Sequence, residues 1–137
     1  MKKLLSVLLV GIMVLLTVGC GGDKVKELTA AEYVQAFKDA GLEAENAREM
    51  TEVDFGPIPQ DVKSAQIFYF PSIEESINGH VFVFKNEKNL EQAKKIYDEF
   101  GQVFKVYVYD KGNALLHLSG EVNEDRAVKY QEVLNEK

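Results

Sequence analysis

Three short segments of the chain are apolar on both of their faces: AQIFYF (65–70), HVFVFK (80–85) and VFKVYVY (103–109). Aromatic and β-branched residues at this density predict strands, and successive side chains of a strand point to opposite faces. In 80–85, Val81 and Val83 share one face while His80, Phe82 and Phe84 share the other. In 103–109, Phe104, Val106 and Val108 share one face, and Lys105, Tyr107 and Tyr109 the other. A sheet built from such strands buries one face against helices. Its second face then shows aromatic groups to a loop, a ligand, a partner or a second copy of the chain.

The helices that cover the sheet are legible from their ends. In LTAAEYVQAFKDAGL (28–42), Thr29 is the N-cap, Glu32 completes a capping box and Leu28 can staple to Tyr33. Tyr33, Val34, Phe37 and Ala40 recur at helical spacing, and Gly41 supplies a left-handed stop. NLEQAKKIYDEFG (89–101) predicts a second helix capped by Asn89, with Leu90, Ala93, Ile96, Tyr97 and Phe100 as its apolar stripe. NEDRAVKYQEVLNEK (123–137) predicts a third, capped by Asn123. Between the first helix and the first strand, 42–55 reads as an extended edge segment, and DFGPIPQDV (54–62), with Gly56, Pro57 and Pro59, as loop. Strands at 103–109 and 114–119 flank a turn at 110–113 and predict a hairpin. The expected fold is α+β: a two-layer sandwich with an antiparallel or mixed sheet of about four strands and helices on one face, forming a single domain over 29–137.

Catalytic and metal chemistry finds little support in the residues. No nucleophile-elbow, dinucleotide-fingerprint or phosphate-loop pattern occurs. The chain has two histidines, His80 and His117, far apart in sequence, and they read as partly exposed strand residues. One cysteine and two separated histidines do not assemble a zinc ligand set. Glu121, Asn123, Asp125 and Glu132 fall at positions 1, 3, 5 and 12 of an EF-hand loop, but Arg126 stands where that loop needs glycine for its turn. Those residues read instead as a capped helix start. No cofactor, no metal and no enzymatic activity are expected.

The N-terminus carries a targeting pattern. Lys2 and Lys3 precede an uncharged, mostly apolar run from Leu4 to Val18, short for a bilayer span and fitting for a signal-peptide core. Thr17-Val18-Gly19-Cys20 resembles the lipobox of bacterial lipoproteins, although Thr17 stands where Leu is usual. The resemblance implies that residues 1–19 are a lipoprotein signal peptide, and that Cys20 carries a diacylglycerol through a thioether and becomes the mature N-terminus. Residues 20–28 are then a lipidated, glycine-rich tether. Removing 1–19 takes away Lys2 and Lys3 of 16 basic residues and none of 22 acidic ones, leaving a net charge of −8. Such a domain is repelled by nucleic acid, which excludes a nucleic-acid role.

The overall layout is similar to small lipoproteins of Gram-positive bacteria and their prophages. The expected role is that of a membrane-anchored, extracytoplasmic, non-enzymatic module that binds an envelope or phage protein, or a second copy of itself. Tyr107 and Tyr109, with Phe82 and Phe84, are the expected interaction residues. The alternative is a carrier of small molecules or lipid, with an apolar cavity lined by Phe68, Phe70, Phe82 and Phe84.

Overall fold

The computed structural model describes residues 27–137; the expected signal peptide (1–19), Cys20 and the expected tether as far as residue 26 lie outside the described residues. The elements run α1 (Ala30–Asp39), β1 (Glu45–Glu49), α2 (Glu52–Phe55), β2 (Val62–Tyr69), β3 (Asn78–Phe84), α3 (Glu87–Gly101), β4 (Val106–Lys111), β5 (Ala114–Ser119) and α4 (Glu124–Glu136). The fold is α+β. One five-stranded sheet has the order β1-β2-β3-β5-β4, with every neighbouring pair antiparallel. Because β3 and β4 both run antiparallel to β5, they are parallel to each other. β3-α3-β4 is thus a split β-α-β unit with β5 inserted between its strands.

Helices cover both faces of this sheet rather than the expected one. α1 and α4 lie on the first face over Phe68, Phe70, Val81, Val83, Leu116 and Leu118. α3 and the short α2 lie on the second, over Ala65, Phe82, Phe84 and Leu115. The physical reason is strand parity. The central strands β3 and β5 are apolar at consecutive positions, so each face needs its own cover. Phe37, Phe68, Phe70 and Tyr130 form a ring cluster under α1 and α4, with centroids 5.2–6.3 Å apart. Each such contact adds about 0.5–1.5 kcal/mol beyond area burial.

The ends of α1 follow the sequence closely. Thr29 Oγ1 accepts from the Glu32 N–H, and Ser64 Oγ on β2 accepts from the Ala30 N–H at 2.8 Å, tying the helix to the sheet. Leu42 N–H bonds to Phe37 O and Gly41 N–H to Lys38 O, with Gly41 at φ +78°, a Schellman close. α3 begins three residues earlier than its periodicity predicts, because Asn86 and not Asn89 is the cap: Asn86 Oδ1 accepts from Asn89 N–H. Within the stretch read as extended, α2 forms one turn after Thr51, held by the Asp54 carboxylate, which accepts from Thr51 N–H and Thr51 Oγ1.

Candidate binding cleft

β3 and β5 are paired with His80 opposite His117. The two histidines, far apart in sequence, therefore meet on the α3 face of the sheet. Their Nδ1 atoms are 3.0 Å apart, the ring planes differ by 16° and the centroids are 5.1 Å apart. Tyr97 of α3 lies flat over the His117 ring at 4.4 Å, and Phe82 flanks His80 at 5.9 Å. Burial pushes His80 down to about 4, offset in part by Asp54 and reinforced by Arg48. Burial, with His80 beside it, pushes His117 down to about 3. Both rings are accordingly neutral near pH 7. A 3.0 Å contact between two neutral imidazoles is an N–H···N hydrogen bond, so one ring is protonated at Nδ1 and the other accepts there. Each ring thereby satisfies the other in a place where an unpaired imidazole nitrogen would cost about 1–3 kcal/mol. Both histidines are partly exposed, as expected, but they are not separate: the sheet brings them together in this pair.

The pair forms part of the lining of a cleft of about 230 Å³, together with Asp54, Phe55, Ile58, Tyr97, Phe100 and Phe104. The chain closes α3 in a tight turn here: Val103 and Phe104 N–H groups both donate to Phe100 O. That turn leaves large apolar groups in solvent, with Phe104 64% exposed, Val103 74% and Phe100 39%. On the opposite wall Asp54 is gripped by Arg48 through two hydrogen bonds, Nη1 to Oδ2 at 2.6 Å and Nη2 to Oδ1 at 3.2 Å. Arg48 Nη2 also donates to Tyr69 Oη at 3.2 Å. Arg48 and the Thr51 N–H hold the Asp54 carboxyl well below the usual carboxylate range. Val53, the residue before Asp54, is 89% exposed. A larger groove of about 540 Å³ along β2 has a mixed lining, with Glu49, Glu52 and Lys63 beside Met50, Phe55 and Val62.

The expected interaction residues do not share one face. Phe82 and Phe84 are fully buried beneath α3, so they are core and not contact surface. Tyr107 and Tyr109 point to the other side, half-buried against the core beneath α1 and α4. The four phenylalanines of the expected cavity likewise divide. Phe68 and Phe70 pack with α1 and α4, and Phe82 and Phe84 with α3, so they line no common space. Sequence reasoning placed His117 opposite Leu116 and Leu118, but not beside His80; the facing pair depends on register between β3 and β5, which no local pattern encodes. Among the described residues no group of three or more His, Cys, Asp or Glu side chains is placed to hold a metal ion. No protein-family model, curated protein or solved structure matches the chain.

Proposed function

We propose that the protein is an extracytoplasmic lipoprotein, anchored through lipidated Cys20, whose domain acts without catalysis by binding a protein of the cell envelope or of a phage. Among the described residues no helix is long and apolar enough to cross a membrane, so in this reading attachment rests on the N-terminal segment. The observation that carries the binding role is the exposed apolar rim of Phe100, Val103 and Phe104 beside an open cleft. Large apolar side chains grouped in this way mark interaction sites more often than isolated exposed ones do. The partner segment has a definite chemistry: one apolar or aromatic side chain to enter the cleft, flanked by Lys or Arg. Residues 27–137 carry 21 acidic and 12 basic side chains. Asp98 and Glu99, beside Phe100, are exposed, as is Glu52 next to Val53. The cation on this wall, Arg48, is already engaged by Asp54. A cleft of about 230 Å³ takes one side chain and is small beside the 300–1,000 Å³ of ligand pockets; a carrier would have to use the groove along β2 instead.

In-cell photocrosslinking from position 104 of the full-length chain tests this. A dominant envelope or phage protein crosslinked from 104, and lost in Val103→Ser/Phe104→Ser with crosslinker placed at 100, supports the reading. Capture of only its own copies makes the site a self-association surface. Capture of nothing above background, together with a small molecule retained in native mass spectrometry, overturns it in favour of the carrier.

A further inference from the structure

The sheet has two free edges, β1 and β4, and the chain treats them differently. β1 carries Glu45, Arg48 and Glu49, all exposed, and its register with β2 shifts between Glu45 and Arg48, where Asn46 sits at φ +53°. Charge and a bulge are the usual means of keeping a sheet edge from pairing with another strand. β4 has neither protection. Its register with β5 is unbroken from Val106 to Lys111, it holds no proline, and Val106, Tyr107, Val108 and Tyr109 are apolar or aromatic in succession. All four are half-buried, whichever face of the sheet they share. We propose that β4 pairs with β4 of a second copy, antiparallel and centred on Val108, which joins two sheets into one across a two-fold axis.

The backbone sets the register. The turn at Gly112 and Asn113 makes Lys111 and Ala114 a hydrogen-bonded pair, and the alternation of an antiparallel ladder then turns Tyr107, Tyr109 and Lys111 towards β5. The N–H and C=O groups of Val106, Val108 and Asp110 point to the open side. Among the described residues no turn, loop or cap hydrogen bond takes them up. Centring on Val108 is the register that pairs all three residues: Val108 meets Val108, and Val106 meets Asp110 of the second copy. Tyr107 then stands opposite Tyr109 of the second copy, a favourable cross-strand aromatic pair. The same register sets Phe104, 64% exposed, beside Gly112 of the second copy, where even a Cβ would meet nothing within 4 Å. Charge favours this edge over other contacts between copies. Residues 27–137 are strongly acidic, whereas the edge bears Lys105, Lys111 and a single acid, Asp110, which lies 3.5 Å from Lys94. Two copies therefore meet here without the acid–acid repulsion expected elsewhere on their surfaces. The one like-charged pair is Lys105 opposite Lys111. Both ammonium groups are already engaged, Lys111 by the Asn135 carbonyl oxygen and Lys105 over the Tyr107 ring. The two-fold axis stands perpendicular to the joined sheet, so both α3 faces lie on one side and the dimer presents two clefts together.

The dimer does not rest on the partner reading, and its test needs no partner. The full chain in density-matched detergent, with Cys20→Ser removing the one native thiol, is followed by sedimentation equilibrium, and a dimer is expected. Val108→Lys sets two like charges on the axis, and Val108→Pro removes an N–H that β5 does not use. Each should weaken the dimer at least tenfold, with circular dichroism unchanged. Should either variant unfold, cysteine placement decides. Val108→Cys brings two Cα atoms to about 5.5 Å across the axis, within reach of a disulfide, and should give a linked dimer on oxidation. Glu49→Cys, on the protected edge β1, should not. A monomeric wild type, a dimer unchanged in a folded Val108→Lys, or linkage no greater from 108 than from 49 overturns the proposal. All these variants keep Phe100, Val103 and Phe104, so loss of the dimer and loss of partner capture are separate results.

Discussion

His80 and His117 face each other across β3 and β5 with 3.0 Å between their Nδ1 atoms, and Tyr97 lies flat over His117 at 4.4 Å. In the folded protein both rings are uncharged near neutrality, because burial pushes them to about 4 and about 3. Unfolded, each titrates near 6.5.

The unfolded chain therefore binds more protons than the folded one between pH 6.5 and 4. The stability held by the pair is fully present above about 6.5 and is lost as the pH falls towards 4 and then 3. Urea midpoints should drop by an amount equivalent to a few kcal/mol across that window. His80→Phe/His117→Phe should flatten the slope there. An equally steep slope in the double variant would assign the acid sensitivity to other groups.

Asp54 loses its contribution in a different window. Held below the usual carboxylate range by Arg48 and the Thr51 N–H, it stabilises the fold above its unfolded value near 4, and that contribution disappears as the pH falls below it. Asp54→Asn removes the ion pair and weakens the α2 turn, at a cost of about 1 kcal/mol at pH 7. Chemical denaturation at pH 7 and pH 3 checks both the size and the sign: the difference from wild type should shrink at the lower pH.

Two glycines are required by close approach. A Cβ at Gly79 would sit 2.6 Å from Phe68 Cζ and 2.9 Å from Leu118 Cδ2. One at Gly120 would sit 2.0 Å from the Lys105 carbonyl oxygen, which is backbone and cannot swing aside. Gly79→Ala should cost about 1–3 kcal/mol through overpacking, and Gly120→Ala more, with the turn after β5 displaced. Thermal melts rank the two; Gly120→Ala melting at the wild-type temperature would show that the turn relaxes freely.

Tyr130 ties α4 to the segment before β1. Its hydroxyl donates to the Glu43 carbonyl oxygen at 2.5 Å, and Arg126 Nη2 bonds Glu43 Oε1 at 2.9 Å. Tyr130→Phe keeps the ring cluster with Phe37, Phe68 and Phe70 and removes only the hydroxyl, for a loss of about 1–2 kcal/mol by urea denaturation.

Phe104→Ser should leave stability within about 0.5 kcal/mol of wild type, since the side chain is largely in solvent. Partner capture should fall sharply in the same variant. A Tyr107→Ser/Tyr109→Ser variant, in contrast, disturbs residues packed beneath α1 and α4 and should show its effect in the melting temperature.

By itself the sequence determined the local features. Thr29, Gly41 and Asn123 mark helix ends in the structure as they do in the chain, and the β4–β5 hairpin turns at Gly112 with φ +59°. These are decided by residues within a few positions of one another, through caps, turns and strand alternation. The same alternation divides Phe82 and Phe84 from Val81 and Val83. Only the tertiary structure decided what each face meets. Placing β5 between β3 and β4 sends α3 across the second face, so Phe82 and Phe84 become core and Tyr107 and Tyr109 pack on the side of α1 and α4. The meeting of His80 and His117 depends on the same insertion, because a contact 37 residues apart in sequence is set by sheet order and register and not by any local propensity.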